Sequence, residues 1–182
     1  MPDPVNLYYW DACMFYEILV DQNVKPEYRA AVDEILSRNK KKENLIVTSI
    51  VTRIEVLPKK ITSISPEMEK KYLSMFDGAR IIDVEINRNV AVLAREIRDF
   101  YYKTADENGG QYKMMDANDA VHLATAYIYN AAEFHTPDND SKKAKVPLID
   151  LYKYSGFTKV CNKYDLNIVC PETEQGFLGV FA

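Results

Sequence analysis

Val5-Asn6-Leu7-Tyr8-Tyr9-Trp10-Asp11 is a short apolar and aromatic run closed abruptly by a carboxylate. Such residues favour a buried, pleated environment, so the run reads as a strand followed by a turn at the acid. The pattern recurs: residues 45–48, 79–86, 133–136 and 166–170 are further short segments of strand type.

Helical spacing separates them. From Pro26, the residues Tyr28, Ala31, Val32, Ile35 and Leu36 recur at helical intervals, with proline at the start and Asn39 plus lysines at the end. Ser49 is expected to cap a helix whose apolar face is Ile50, Val51, Ile54 and Leu57, with Pro58 stopping it. Ser65-Pro66 opens a short helix through Met75, and Val90, Leu93, Ala94, Ile97, Phe100 and Tyr101 mark a long one. After the turn-rich Glu107-Asn108-Gly109-Gly110, an alanine-rich helix is expected from about residue 117 to 132. Strands alternating with helices imply an α/β domain whose mainly parallel central sheet is covered on both faces.

Punctuation by proline and glycine is sparse, and the chain has no internal repeat or low-complexity tract. Residues 1–182 are therefore expected to form a single domain. A content of 47% hydrophobic, 12% aromatic and 27% charged residues is that of an ordinary globular protein, not a disordered or fibrous one. No segment approaches the roughly 20 continuous apolar residues that span a bilayer. Residues 1–6 lack the basic start and apolar stretch of a secretory signal, which makes a cytoplasmic location the expectation. Cys13, Cys161 and Cys170 form no CxxC pair, so reduced structural thiols are expected.

The formal net charge of −4 argues against a protein that coats nucleic acid by bulk electrostatics. It leaves room for a nuclease, because carboxylates gathered for a divalent cation lower the net charge while bound metal reverses the local field. Acidic positions carry that reading. In open α/β sheets ligands gather at the carboxyl ends of the strands. Asp11 follows the first strand, Glu55 lies on the helix after the second, Asp119 starts the alanine-rich helix, and Asp138 follows the strand ending at Thr136. Four uncompensated carboxylates would repel one another, and a hard divalent cation resolves the conflict. Such a metal suits phosphodiester hydrolysis, because it acidifies water and neutralises charge on phosphate. The lack of convergent His or Cys argues against zinc.

Each acid also has a structural reading. Asp116 could cap the alanine-rich helix with Asp119 in its first turn, and Asp138 could close an Asx-turn in Pro137-Asp138-Asn139-Asp140. Glu55 could be a solvated helix residue paired with Arg53 or Lys59. Turn chemistry explains Asp11 poorly. Asp116, Asp140 and Thr136 are candidate auxiliary ligands, and Lys142, Lys143 and Lys145, near Asp138, are candidates for phosphate contact or a solvated loop. His122 and His135 are expected as core or rim residues, and the 13 tyrosines mainly as packing.

The segments Tyr9-Trp10-Asp11-Ala12-Cys13-Met14-Phe15, Thr48-Ser49-Ile50-Val51-Thr52-Arg53-Ile54-Glu55-Val56-Leu57, Asp119-Ala120-Val121-His122-Leu123-Ala124-Thr125-Ala126 and Thr136-Pro137-Asp138-Asn139-Asp140 resemble the four acidic blocks of PIN-domain ribonucleases. Ala94-Arg95-Glu96-Ile97-Arg98 is similar to the helix before the third block. The resemblance implies a three-layer α/β/α fold, Mg2+ or Mn2+ as cofactor, and endonucleolytic hydrolysis of RNA. By position, Asp11, Asp119 and Asp138 would hold metal directly, and Glu55 would bind it or orient its water. A VapC-like toxin with a small antitoxin partner is one form this takes, and a housekeeping nuclease is another; homodimers are common among such proteins. Where the family usually carries a hydroxyl or Asn just after the first acid, this chain has Ala12 and Cys13. A catalytically inactive PIN-like module that binds RNA or protein is thus the alternative. A haloacid dehalogenase-type phosphatase is more remote, because Asp11-Ala12-Cys13 lacks the second Asp of its DxD pattern.

Overall fold

The computed structural model describes residues 5–20, 26–63, 65–76, 80–138, 144–151 and 159–171. Strand β1 (Asn6–Trp10) is central, and a five-stranded sheet runs in the order β3-β2-β1-β4-β5, with β2 Asn44–Ser49, β3 Ile81–Val84, β4 Glu133–His135 and β5 Ile168–Val169. Every pairing is parallel; Tyr9 sits opposite Val47 on one side and Phe134 on the other. Because the chain builds outward from β1 through β2 to β3 and then returns to place β4 on the other side of β1, the order reverses between β1 and β4. Crevices at such a reversal, beyond the strand carboxyl ends, are where ligands bind in these sheets.

Alternation along the strands assigns the two faces. Tyr9, Val47, Phe134 and Ile168 face one layer, formed by α6 (Arg88–Phe100) and α7 (Ala117–Ile128). Trp10, Ile46 and Ile81 face the other, formed by α1 (Ala12–Val20), α2 (Pro26–Lys40), α4 (Pro58–Thr62) and α5 (Glu67–Met75). The result is the expected three-layer α/β/α architecture with an all-parallel sheet. Tyr9, Trp10, Phe15 and Phe134 have no exposed surface. Burying an apolar side chain of this size contributes roughly 1.5–3 kcal/mol. On α7 the small residues Ala120, Ala124 and Ala126 are fully buried, which lets this helix approach the sheet and α6 closely.

The local structure departs from expectation in several places. No turn follows Asp11; helix α1 begins at once, capped by Asp11 Oδ1 accepting the Met14 amide at 3.1 Å. Residues 12–19 show no helical period because each of them is buried or half-buried. The helix after β2 is the single turn α3 (Thr52–Glu55), and Ser49 accepts from the Val51 amide rather than from a deeper helix position. Ile54 and Leu57, expected on the buried face, are 72% and 54% exposed, while Val51, Thr52 and Val56 are buried. Pro58 does not end a helix but begins α4, where its missing N–H costs nothing.

Candidate functional site

Asp11 and Asp138 leave the sheet beside each other. The Asp11 amide donates to the His135 carbonyl at 3.4 Å, which carries the β1–β4 pairing one residue past the end of β1. Thr48 Oγ1, donating to the Trp10 carbonyl at 2.7 Å and meeting Thr52 Oγ1 at 2.6 Å, fixes the same end of β1 to β2 and α3.

Asp11 is only 3% exposed. Burial pushes its carboxyl up to about 7, against the opposing pull of the Thr136 hydroxyl, His122 and the Met14 amide, with Asp119 adding to the rise. The Thr136 hydroxyl also accepts from the Asp138 amide at 3.0 Å, so it links the first and fourth acids. Burial, and then the carboxylates of Asp11, Asp138 and Asp119, hold the Cys13 thiol well above its ordinary range, so it is a neutral neighbour of the site.

Asp119 lies in the first turn of α7, whose cap is Asp116, accepting from the Asn118 amide at 2.8 Å. Asp116 thereby performs the capping role. Lys145 Nζ lies 3.1 Å from Asp119 Oδ2 and 3.3 Å from Asp138 Oδ2. Burial would lower the lysine pKa, but attraction to Asp119 and Asp138 outweighs it and raises it. At Asp119 the balance goes the other way: burial outweighs Lys145, with Asp116 and Asp138 adding to the rise. Asp119 Oδ2 is a buried carboxylate oxygen, and among the described residues the Lys145 ammonium is the group that faces it. Lys145, a candidate for phosphate contact from the sequence, is therefore engaged with two of the acids. Asp140, Lys142 and Lys143 lie outside the described residues.

Glu55 stands apart from that trio and is held from α7. Asn118 Nδ2 donates to its Oε1 at 3.0 Å, and His122 Nε2 meets its Oε2 at 2.6 Å. His122 Nδ1 in turn meets the Tyr9 hydroxyl at 2.7 Å, and both residues are buried. Its backbone is pinned as well: Tyr16 donates to the Glu55 carbonyl at 2.7 Å and accepts from the Leu57 amide at 2.9 Å. Arg53, considered as a partner of Glu55, pairs with Asp83 instead. His135 is a core residue: its Nδ1 accepts from Trp10 Nε1 at 3.0 Å and its Nε2 meets Glu133 at 2.8 Å. The roles of Asn118, His122 and Tyr9 around Glu55 were not anticipated. Asn118 and His122 lie four residues apart and so share one face of α7, which was the available signal.

Side chains as they stand do not make a finished metal pocket: among the described residues, no group of three or more His, Cys, Asp or Glu is disposed to hold an ion. The donor chemistry fits a hard divalent cation nonetheless. Asp11, Asp119 and Asp138 are electrostatically coupled and offer carboxylate oxygens, among them the buried Oδ2 of Asp119, and the Lys145 ammonium faces two of these acids. No helix among the described residues is long and apolar enough to cross a membrane.

Comparison with known proteins gives three findings. The family model of the PIN domain matches residues 8–147. Among solved structures, the chain is similar to the crystal structure of VapBC2 from Rickettsia felis bound to a DNA fragment from their promoter. The identity is 17%, with 71% of this chain and 86% of that chain covered and a TM-score of 0.48. No curated protein matches.

Proposed function

This chain belongs to the PIN-domain family, whose members are generally nucleases, and on that premise we propose that it is a metal-dependent endoribonuclease. The observation that carries this reading is the electrostatic coupling of the buried Asp11 with the partly buried Asp119 and Asp138 at the β1–β4 reversal. Three coupled carboxylates held close together repel one another, and metal binding would explain their retention there.

Asp11, Asp119 and Asp138 would hold Mg2+ or Mn2+, with Glu55 at the margin of the same site. The bound cation would acidify water and neutralise charge on the scissile phosphate. Around it, this chain supplies orientation. Thr136 restrains both Asp11 and Asp138, while Asn118 and His122 each engage one oxygen of Glu55. A carboxylate held at both oxygens keeps one direction, which is what a water-orienting group requires. A toxin role with a small antitoxin partner, and homodimerisation, are finer parts of the same proposal and rest on the likeness of the four acidic segments.

Incubating the purified chain with single-stranded and structured RNA in Mg2+ or Mn2+ tests this. Cleavage is expected, and Asp11→Asn should abolish it; equal activity in the variant removes the proposed site. Growth arrest on induction, relieved by Asp11→Asn, separates a toxin from a housekeeping nuclease.

A second reading, an inactive PIN-like binding module, is favoured by Lys145 lying across two of the acids. RNA binding without cleavage, and no heat on titration with Mn2+ while all four acids are intact, would select it.

A further inference from the structure

Lys145 is placed by its backbone, not left on an open surface. Met114 donates to the Ala144 carbonyl and Val146 donates to the Met114 carbonyl, both at 3.1 Å, in a parallel bridge that brackets Lys145. Val146 and Leu148 beyond it are buried in the core that α6 and α7 share. The ammonium therefore reaches Asp119 and Asp138 from a fixed base through a four-carbon stem. Its side chain keeps 26% exposure, against 14% for Asp119 and 9% for Asp138. An ammonium that is partly wet and flexible can leave, whereas the carboxylates cannot.

We propose that Lys145 is a built-in counter-ion of the carboxylate site: its ammonium holds the position at Asp119 and Asp138 that a divalent cation takes, so metal binds by displacing it. The inference rests on the proposed metal-binding role of these acids and adds a residue that sets the affinity. The Lys145 ammonium, carrying one charge, spans an oxygen of each of these two acids, at 3.1 and 3.3 Å. A divalent ion compensates better, but it must compete with an attached rival. Removing the rival makes the acids more available, because taking a positive charge away from partly buried carboxylates raises the free energy of the metal-free state.

Calorimetric titration of the full chain with Mn2+ tests this, comparing the wild type with Lys145→Met, Lys145→Gln and Lys145→Arg at one pH. The two neutral variants should bind Mn2+ roughly tenfold more tightly or better, and the arginine variant within a few-fold of wild type. Unchanged or weaker affinity in both neutral variants, with Mn2+ binding by the wild type intact, overturns the role of Lys145 alone. No binding by any of the four proteins overturns the carboxylate metal reading and this inference with it. A measurement on the unaltered chain guards against misfolded variants: reductive methylation of Lys145, followed by mass spectrometry, should be faster at saturating Mg2+. Equal rates with and without Mg2+ overturn the displacement.

Discussion

His122 Nε2 lies 2.6 Å from Glu55 Oε2 while its Nδ1 faces the Tyr9 hydroxyl at 2.7 Å, so a buried imidazole joins the central strand to the acid on α3. Replacing it by alanine removes the 2.6 Å contact to Glu55 and the 2.7 Å contact to the Tyr9 hydroxyl. His122→Ala is expected to cost about 1–3 kcal/mol of folding stability, measured by urea denaturation, because two hydrogen bonds to a buried imidazole are lost. A midpoint unchanged from wild type would show that the imidazole does not hold these partners.

Asp11 should behave oppositely in stability and in activity. Its folded-state carboxyl titrates near 7, against an ordinary 3.8, because of burial. A raised carboxyl pKa favours the protonated form in the fold. The stabilising contribution is therefore present in full below the ordinary value and is lost as pH rises towards 7. Metal-free protein should lose stability from this group between about pH 4 and 7, and Asp11→Asn should flatten that slope and raise the melting temperature at pH 7. Nuclease activity should disappear in the same variant. Thermal melts in chelator across pH, beside RNA cleavage assays, check both halves.

Asp116 and Asp119, three residues apart, should separate cleanly. Asp116→Ala removes the cap on the Asn118 amide and should cost about 1 kcal/mol in denaturant unfolding while leaving cleavage largely intact. Asp119→Asn should abolish cleavage. If Asp116→Ala also abolishes cleavage in a folded protein, Asp116 is a ligand as well as a cap.

Thr136→Val keeps the shape of the side chain and removes a hydroxyl that serves both Asp11 and the Asp138 amide. A stability loss of about 1–2 kcal/mol is expected. Mn2+ affinity measured by calorimetry should weaken, since two of the acids lose their restraint. Wild-type affinity would confine Thr136 to a turn.

The strand and helix order was legible in the sequence because it rests on short-range chemistry. Apolar runs such as residues 5–10, the spacing of Val90, Leu93, Ala94 and Ile97, and the acid-closed strand ends are local, and they specify layers and sheet. Asp11 and Asp138 were readable as residues just past parallel strands, because that position follows from the local strand pattern. Helix α1 escaped because residues 12–19 are each buried or half-buried and show no period, and Pro58 was misread because proline both ends and begins helices.

What only the tertiary structure decided is which groups the acids meet. His122 is 67 residues from Glu55, Thr136 is 125 positions after Asp11, and Lys145 reaches Asp119 across 26 positions. No local pattern encodes such encounters, because they depend on the order β3-β2-β1-β4-β5 bringing strand ends and α7 together. The chain alone thus determined the layers and the carboxylate positions. Packing decided their partners: the Thr136 hydroxyl on Asp11, an imidazole and an amide on Glu55, and a lysine between Asp119 and Asp138. Long-range contacts of this kind are set by the assembled sheet, not by any segment of it.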